Sequence, residues 1–120
     1  MRHLMIRWAN VPVYLHRSPV DFRKSINGLA VVVEQAMGRS PMERALFVFG
    51  ARSRDKVKVL YWDRTGFCLW TKRLEKDRFA WPRTADEHVL RLSVEQLDWL
   101  LRGFDILRMK PHAVQNFDVM

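Results

Sequence analysis

Apolar and polar positions change period several times along this chain, and each change marks an element. In "VPVYLHR" (11–17) Val11, Val13 and Leu15 alternate with other side chains, including Tyr14 and His16, after a proline suited to a strand's start, which predicts a strand with one buried face. Over 18–38 the spacing becomes helical: Phe22, Ile26, Leu29, Val33, Ala36 and Met37 form one stripe, while Arg23, Asn27 and Glu34 share another face. Ser18 as N-cap, Pro19 at the first helical position and Gly38 at the end bound this predicted helix. "ALFVFG" (45–50) shows no alternation and reads as a central strand buried on both faces. "KVKVLYWD" and "FCLWTKRLE" flank "DRTG", a hairpin with Asp63 and Gly66 at the first and last turn positions, and "RFAWP" is expected to add a short strand. In "SVEQLDWLLRG" Ser93 and Gln96 form a capping box, Leu97, Leu100 and Leu101 an inward stripe and Gly103 a stop, predicting a second helix. Residues 104–120 lack periodicity and read as a tail that a partner could order. The expected architecture is α+β: a single domain over 1–120 with a compact core over 11–103. Its mostly antiparallel sheet, central strand plus hairpin, is packed by two amphipathic helices.

The turn reading pairs Asp63 with Phe67, and hence Lys58 with Lys72. One hairpin face then carries Val57, Val59, Tyr61, Phe67 and Leu69, and the other Lys58, Leu60, Trp62, Cys68, Trp70, Lys72 and Leu74. Opposed lysines repel by about 0.2–1 kcal/mol unless an anion lies over them. Trp62 and Trp70 read first as packing residues, and their face as one that a protein partner could bury.

Charge sharpens this picture. The chain has 120 residues with 21 Lys+Arg against 13 Asp+Glu, a net charge of +8, and such an excess favours nucleic acid or another polyanion. Between Gly50 and Arg83 stand ten basic residues and four acids, so most of the excess lies there. The candidate DNA-binding residues are therefore Arg52, Arg54, Lys56, Lys58, Arg64, Lys72, Arg73 and Lys76, with Arg23 and Lys24 at the predicted helix start as further phosphate ligands.

Other chemistries lack residues. Cys68 stands alone, so no intrachain disulfide forms, and four scattered histidines have no zinc spacing. The residues two before Lys72 and Lys76 are Trp70 and Leu74, where a metal-dependent nuclease strand would carry an acid. No glycine-rich phosphate loop or nucleophile pair is visible, so neither catalysis nor a metal or cofactor is expected. No run approaches the roughly 20 apolar residues of a membrane span, and a soluble cytoplasmic protein is expected.

Three blocks in order, "VDFRKSINGLA", "ALFVFGARSRDKVKVLYWDRTGFCLWTKRLEKDRFAWP" and "LSVEQLDWLLRGFDI", resemble the TnpB accessory protein (transposase Orf2-like) of the insertion-sequence sixty-six family of bacterial transposable elements. The resemblance implies a non-catalytic role in moving the element beside a separate, larger transposase, and it carries over no catalytic residues. In that family the loop after "LFVF" usually reads as an unbroken basic run, whereas here Gly50 and Ala51 precede Arg52. The expected partners are DNA at the element ends, bound through the hairpin and its adjoining loop, and the element's transposase. An adaptor that binds the transposase with little DNA contact is the alternative, through Trp62, Trp70, Phe104 and Ile106, with Met109 and Phe117 in the same tail.

Overall fold

The unbroken apolar run does form a strand, Leu46–Gly50, buried at all five positions and central in a five-stranded sheet. The computed structural model describes residues 10–109, so Phe117 and the end of the tail lie outside the described residues. In chain order the elements are β1 (Val13–His16), α1 (Ile26–Gln35), β2 (Leu46–Gly50), β3 (Lys56–Asp63), β4 (Gly66–Arg73), β5 (Val89–Leu92), α2 (Val94–Leu101) and a 3-10 turn, Ile106–Arg108. The sheet order is β4-β3-β2-β1-β5. β1 runs parallel to β2, with α1 in the connection that a parallel pair requires, and the other neighbours are antiparallel. The α+β class and mostly antiparallel sheet are those the sequence predicts.

Each face of the sheet meets one helix. Leu29 and Val33 of α1, with Met37, pack on Phe47, Phe49 and Leu60. On the opposite face Leu97, Leu100 and Leu101 of α2 join Val13, Leu15, Leu46, Val48, Val57 and Val59. Alternate residues of β2 thus enter different layers, which is why its sequence shows no polar position. The capping box forms as read: the Gln96 backbone N–H donates to Ser93 Oγ at 3.0 Å and the Ser93 N–H to Gln96 Oε1 at 2.8 Å, while Gly103 closes the helix end at φ +97°.

Three expectations need correction. The first helix begins at Ile26, not at Ser18. Asp21 Oδ1 accepts the Arg23 N–H at 2.9 Å and the Asp21 carbonyl accepts the Lys24 N–H at 3.0 Å, so a local turn takes the donors that a helix would use. "RFAWP" forms no strand: Phe79 is buried, and the Trp81 indole packs on the core and donates to the Arg17 carbonyl at 2.7 Å. The fifth strand is instead "VLRL", antiparallel to β1 with Val13 opposite Leu92.

The hairpin register also differs by one residue. Arg64 takes the left-handed conformation at φ +59° and Asp63 pairs with Gly66, leaving a two-residue loop. A one-residue slip exchanges faces. Leu60 now opposes Leu69 and Trp62 opposes Phe67 on the α1 side, while Val59 opposes Trp70 on the α2 side. Apolar pairs therefore serve both covered layers, and Lys58 faces Thr71 rather than Lys72.

Candidate nucleic-acid interface

Residues 18–25 form a strap across the end of the sheet. The Val20 N–H donates to the Gly50 carbonyl at 3.0 Å. Farther along, Lys58 Nζ donates to the carbonyls of Phe22 at 2.8 Å and Lys24 at 2.9 Å, and lies 4.6 Å from the Phe22 ring centroid. Partial burial pushes the Lys58 ammonium below its usual pKa. Its charge thus fixes the strap as well as adding to the field.

The strap carries its own ion pair. Asp21 accepts from Arg23 Nε at 3.0 and 3.1 Å and from Nη2 at 2.6 Å. These side-chain bonds, joined by the Arg23 backbone N–H, hold the Asp21 carboxyl well below the usual carboxylate range. Protonation at low pH would cost that grip, so this contribution is present above the ordinary carboxylate pKa and fades as pH falls through the depressed one.

Two clefts flank Phe22. One, of about 690 Å³, is bounded by Arg23, Lys56, Lys58, Thr71 and Arg73, and the other, of about 670 Å³, by Pro19, Val20, Ala51, Arg52 and Ser53; Asp21 and Phe22 border both. The β2–β3 loop beside them is braced. Arg54 sits at φ +64°, its N–H donates to the Ala51 carbonyl at 3.0 Å and its carbonyl accepts the Phe79 N–H at 2.7 Å. Ser53 Oγ donates to Asp55, which lowers the Asp55 pKa, and the Asp55 carbonyl accepts the Leu74 N–H at 2.8 Å. Arg73 reaches Glu75 at 3.2 Å and Lys56 reaches Asp55 at 4.0 Å, both at the exposed surface or partly so. Arg52 and Lys24 are exposed and form no ion pair among the described residues.

The predicted cations are thus divided. Arg23, Lys24, Arg52, Lys56, Lys58 and Arg73 converge on the strap and its clefts, with Arg54 in the adjoining loop. Lys72 leaves the group, because its Nζ lies on the α2 side and donates to the Leu101 carbonyl at 2.9 Å, closing the helix end. Arg64 is exposed at the hairpin tip and Lys76 beyond the end of β4. Trp62 meets Phe67 edge-on at 5.0 Å on one side of the sheet and Trp70 packs on the other, so they share no face. Ile106 is 4% exposed within the core and offers no partner surface, whereas Phe104 is 50% exposed.

Phe22, Asp21 and Thr71 escaped sequence reasoning. Phe22 sits at helical spacing from Ile26, which hid its place in the strap. The available signal was Pro19 and Asp21 in one short stretch, a turn composition. Among the described residues no group of three His, Cys, Asp or Glu side chains could hold a metal, and no helix is long and apolar enough to cross a membrane.

Comparison with known proteins adds the lineage. The family model described as IS66 Orf2 like protein matches residues 11–111. Two proteins of Sinorhizobium fredii (strain NBRC 101917 / NGR234) are similar. Uncharacterized protein y4hO is 38% identical over 96 residues, covering 80% of this chain and 83% of y4hO. Uncharacterized protein y4jC is 38% identical over 98 residues, covering 82% and 83%. No solved structure matches.

Proposed function

Since this chain belongs to the family of IS66 Orf2 like proteins, whose role is accessory to transposition, we propose that it acts without catalysis by holding DNA phosphates along the strap and its clefts. The observation that carries this reading is convergence: Arg23 and Lys24 from the strap, Arg52 from the β2–β3 loop, and Lys56, Lys58 and Arg73 from the hairpin meet at one end of the sheet. Guanidinium and ammonium groups on braced backbone suit phosphate, and neutralising phosphates releases counterions. The DNA at the element ends is the natural ligand of such a surface, in the cytoplasm where the element moves.

Arg52→Ala combined with Arg73→Ala is expected to weaken duplex and single-strand binding about 10- to 100-fold at low salt and to reduce the salt slope by about 2. Arg64→Ala, at the hairpin tip, should reduce the slope by less than about 1. Fluorescence anisotropy at several salt concentrations checks both, and an unchanged slope in the double variant rejects the assignment.

A second reading, capture of the element's transposase, draws on one observation: Phe104, just before the 3-10 turn, and Leu107, within it, are 50% and 46% exposed. Under this reading, Phe104→Ser with Leu107→Ser abolishes capture by the purified transposase in a pull-down while leaving DNA affinity intact. Retained capture removes this surface from consideration.

A further inference from the structure

Resting on the DNA-binding reading above, we infer that the clefts beside Phe22 take single-stranded DNA in preference to duplex, with a base stacked on the face of the Phe22 ring away from Lys58 and the flanking phosphates on Arg52 on one side and Arg73 and Lys56 on the other. The ring is partly exposed and borders both clefts. Partly exposed phenylalanine set among cations is the combination found where single strands bind, because every base offers a π-face and every linkage a phosphate. Within a duplex the bases are already stacked on each other, and the ring could reach them only as a wedge that parts a step.

The platform is fixed in advance. Lys58 lies 4.6 Å from the ring centroid and bonds the carbonyls on either side of Arg23, so its ammonium polarises the ring and holds the backbone that carries it. The Val20 N–H to the Gly50 carbonyl and the Asp21–Arg23 fork hold the remainder of the strap. A ligand therefore orders little of the protein when it binds. Both clefts, of about 690 and 670 Å³, are open and shallow, so they present surface to a nucleotide rather than enclose it.

The test titrates the full chain against labelled oligothymidylate of about 20 nucleotides and a mixed-sequence duplex of about 20 base pairs, by anisotropy near 0.15 M salt. Single-strand affinity is expected to exceed duplex affinity at least tenfold. Phe22→Ala should weaken single-strand binding by about tenfold or more, leave duplex binding within twofold and leave the salt slope unchanged, since no charge is lost. Phe22→Leu keeps bulk without a π-face and should behave as Phe22→Ala does, which separates stacking from folding. Phe22→Trp should retain binding, with its added fluorescence quenched on titration. Duplex binding equal to or tighter than single-strand binding, or full affinity in Phe22→Leu, overturns this inference and leaves the phosphate-binding reading in place. Absence of binding to either probe overturns both.

Discussion

Ile106→Ala is expected to lower the unfolding free energy by about 2–5 kcal/mol, whereas Phe104→Ser, two residues away, should change it by no more than about 0.5 kcal/mol. The difference lies in burial: Ile106 is 4% exposed among Leu97, Leu100 and Leu101, and Phe104 is half in solvent. Local bonds deliver Ile106 there. Gly103 turns the chain at φ +97°, the Phe104 N–H returns to the Trp99 carbonyl at 3.0 Å, and Asp105 Oδ1 accepts the Leu107 N–H at 3.1 Å to start the 3-10 turn. Urea unfolding followed by tryptophan fluorescence measures both variants. A loss below about 0.5 kcal/mol for Ile106→Ala would mean that the turn does not seal the α2 layer. The expected loss is a large fraction of the roughly 5–15 kcal/mol that holds a domain together. Deleting 104–120 to test for a partner surface would therefore confound recognition with folding, and paired substitutions at Phe104 and Leu107 avoid this.

Legibility in the sequence followed how local each determinant is. β2 was readable because burial on both faces leaves a run with no polar position, and α2 because the Ser93–Gln96 box spans only one helical turn. The start of α1 was not, because a carboxylate two residues before Arg23 diverts backbone donors while the side-chain spacing still looks helical. β5 is only four residues long, and one outward Arg91 between two buried leucines is too short an alternation to stand out.

The site was legible as composition and not as a surface. Basic residues crowd 50–83, yet strand alternation sends Lys58 and Lys72 to opposite sides, and only the register decides which cations share a face. The turn suggested a loop closed by Gly66, while the demands of two covered layers selected a tighter one with Arg64 in the left-handed region. The strap reaches the hairpin through Lys58 bonds to Phe22 and Lys24, contacts that span 36 and 34 residues. No local pattern encodes a bond of that range, so the pairing of Arg23 with Arg73 across one cleft emerges only from the fold.

At the same end of the sheet Gly50 has no room for a side chain, and Gly50→Val should cost about 3 kcal/mol or more. A Cβ on Gly50 would lie 2.8, 2.9 and 3.0 Å from three atoms of the Trp81 indole, closer than side chains pack. The indole is rigid and its Nε1–H is bonded to the Arg17 carbonyl at 2.7 Å, so relief requires breaking that bond or moving β2. Trp81→Ala alone should cost about 3 kcal/mol or more through lost packing. Combined with Gly50→Val it should cost at least about 1 kcal/mol less than the two single losses added, because truncating the indole removes the valine's clash and the valine fills part of the space left behind. Strict additivity in urea unfolding would refute steric conflict as the reason for glycine here. The Gly50 carbonyl also anchors the strap through the Val20 N–H, so a displaced β2 end would loosen the platform under Phe22. Gly50→Val should then reduce single-strand affinity, and adding Trp81→Ala should restore part of it by letting the strand return.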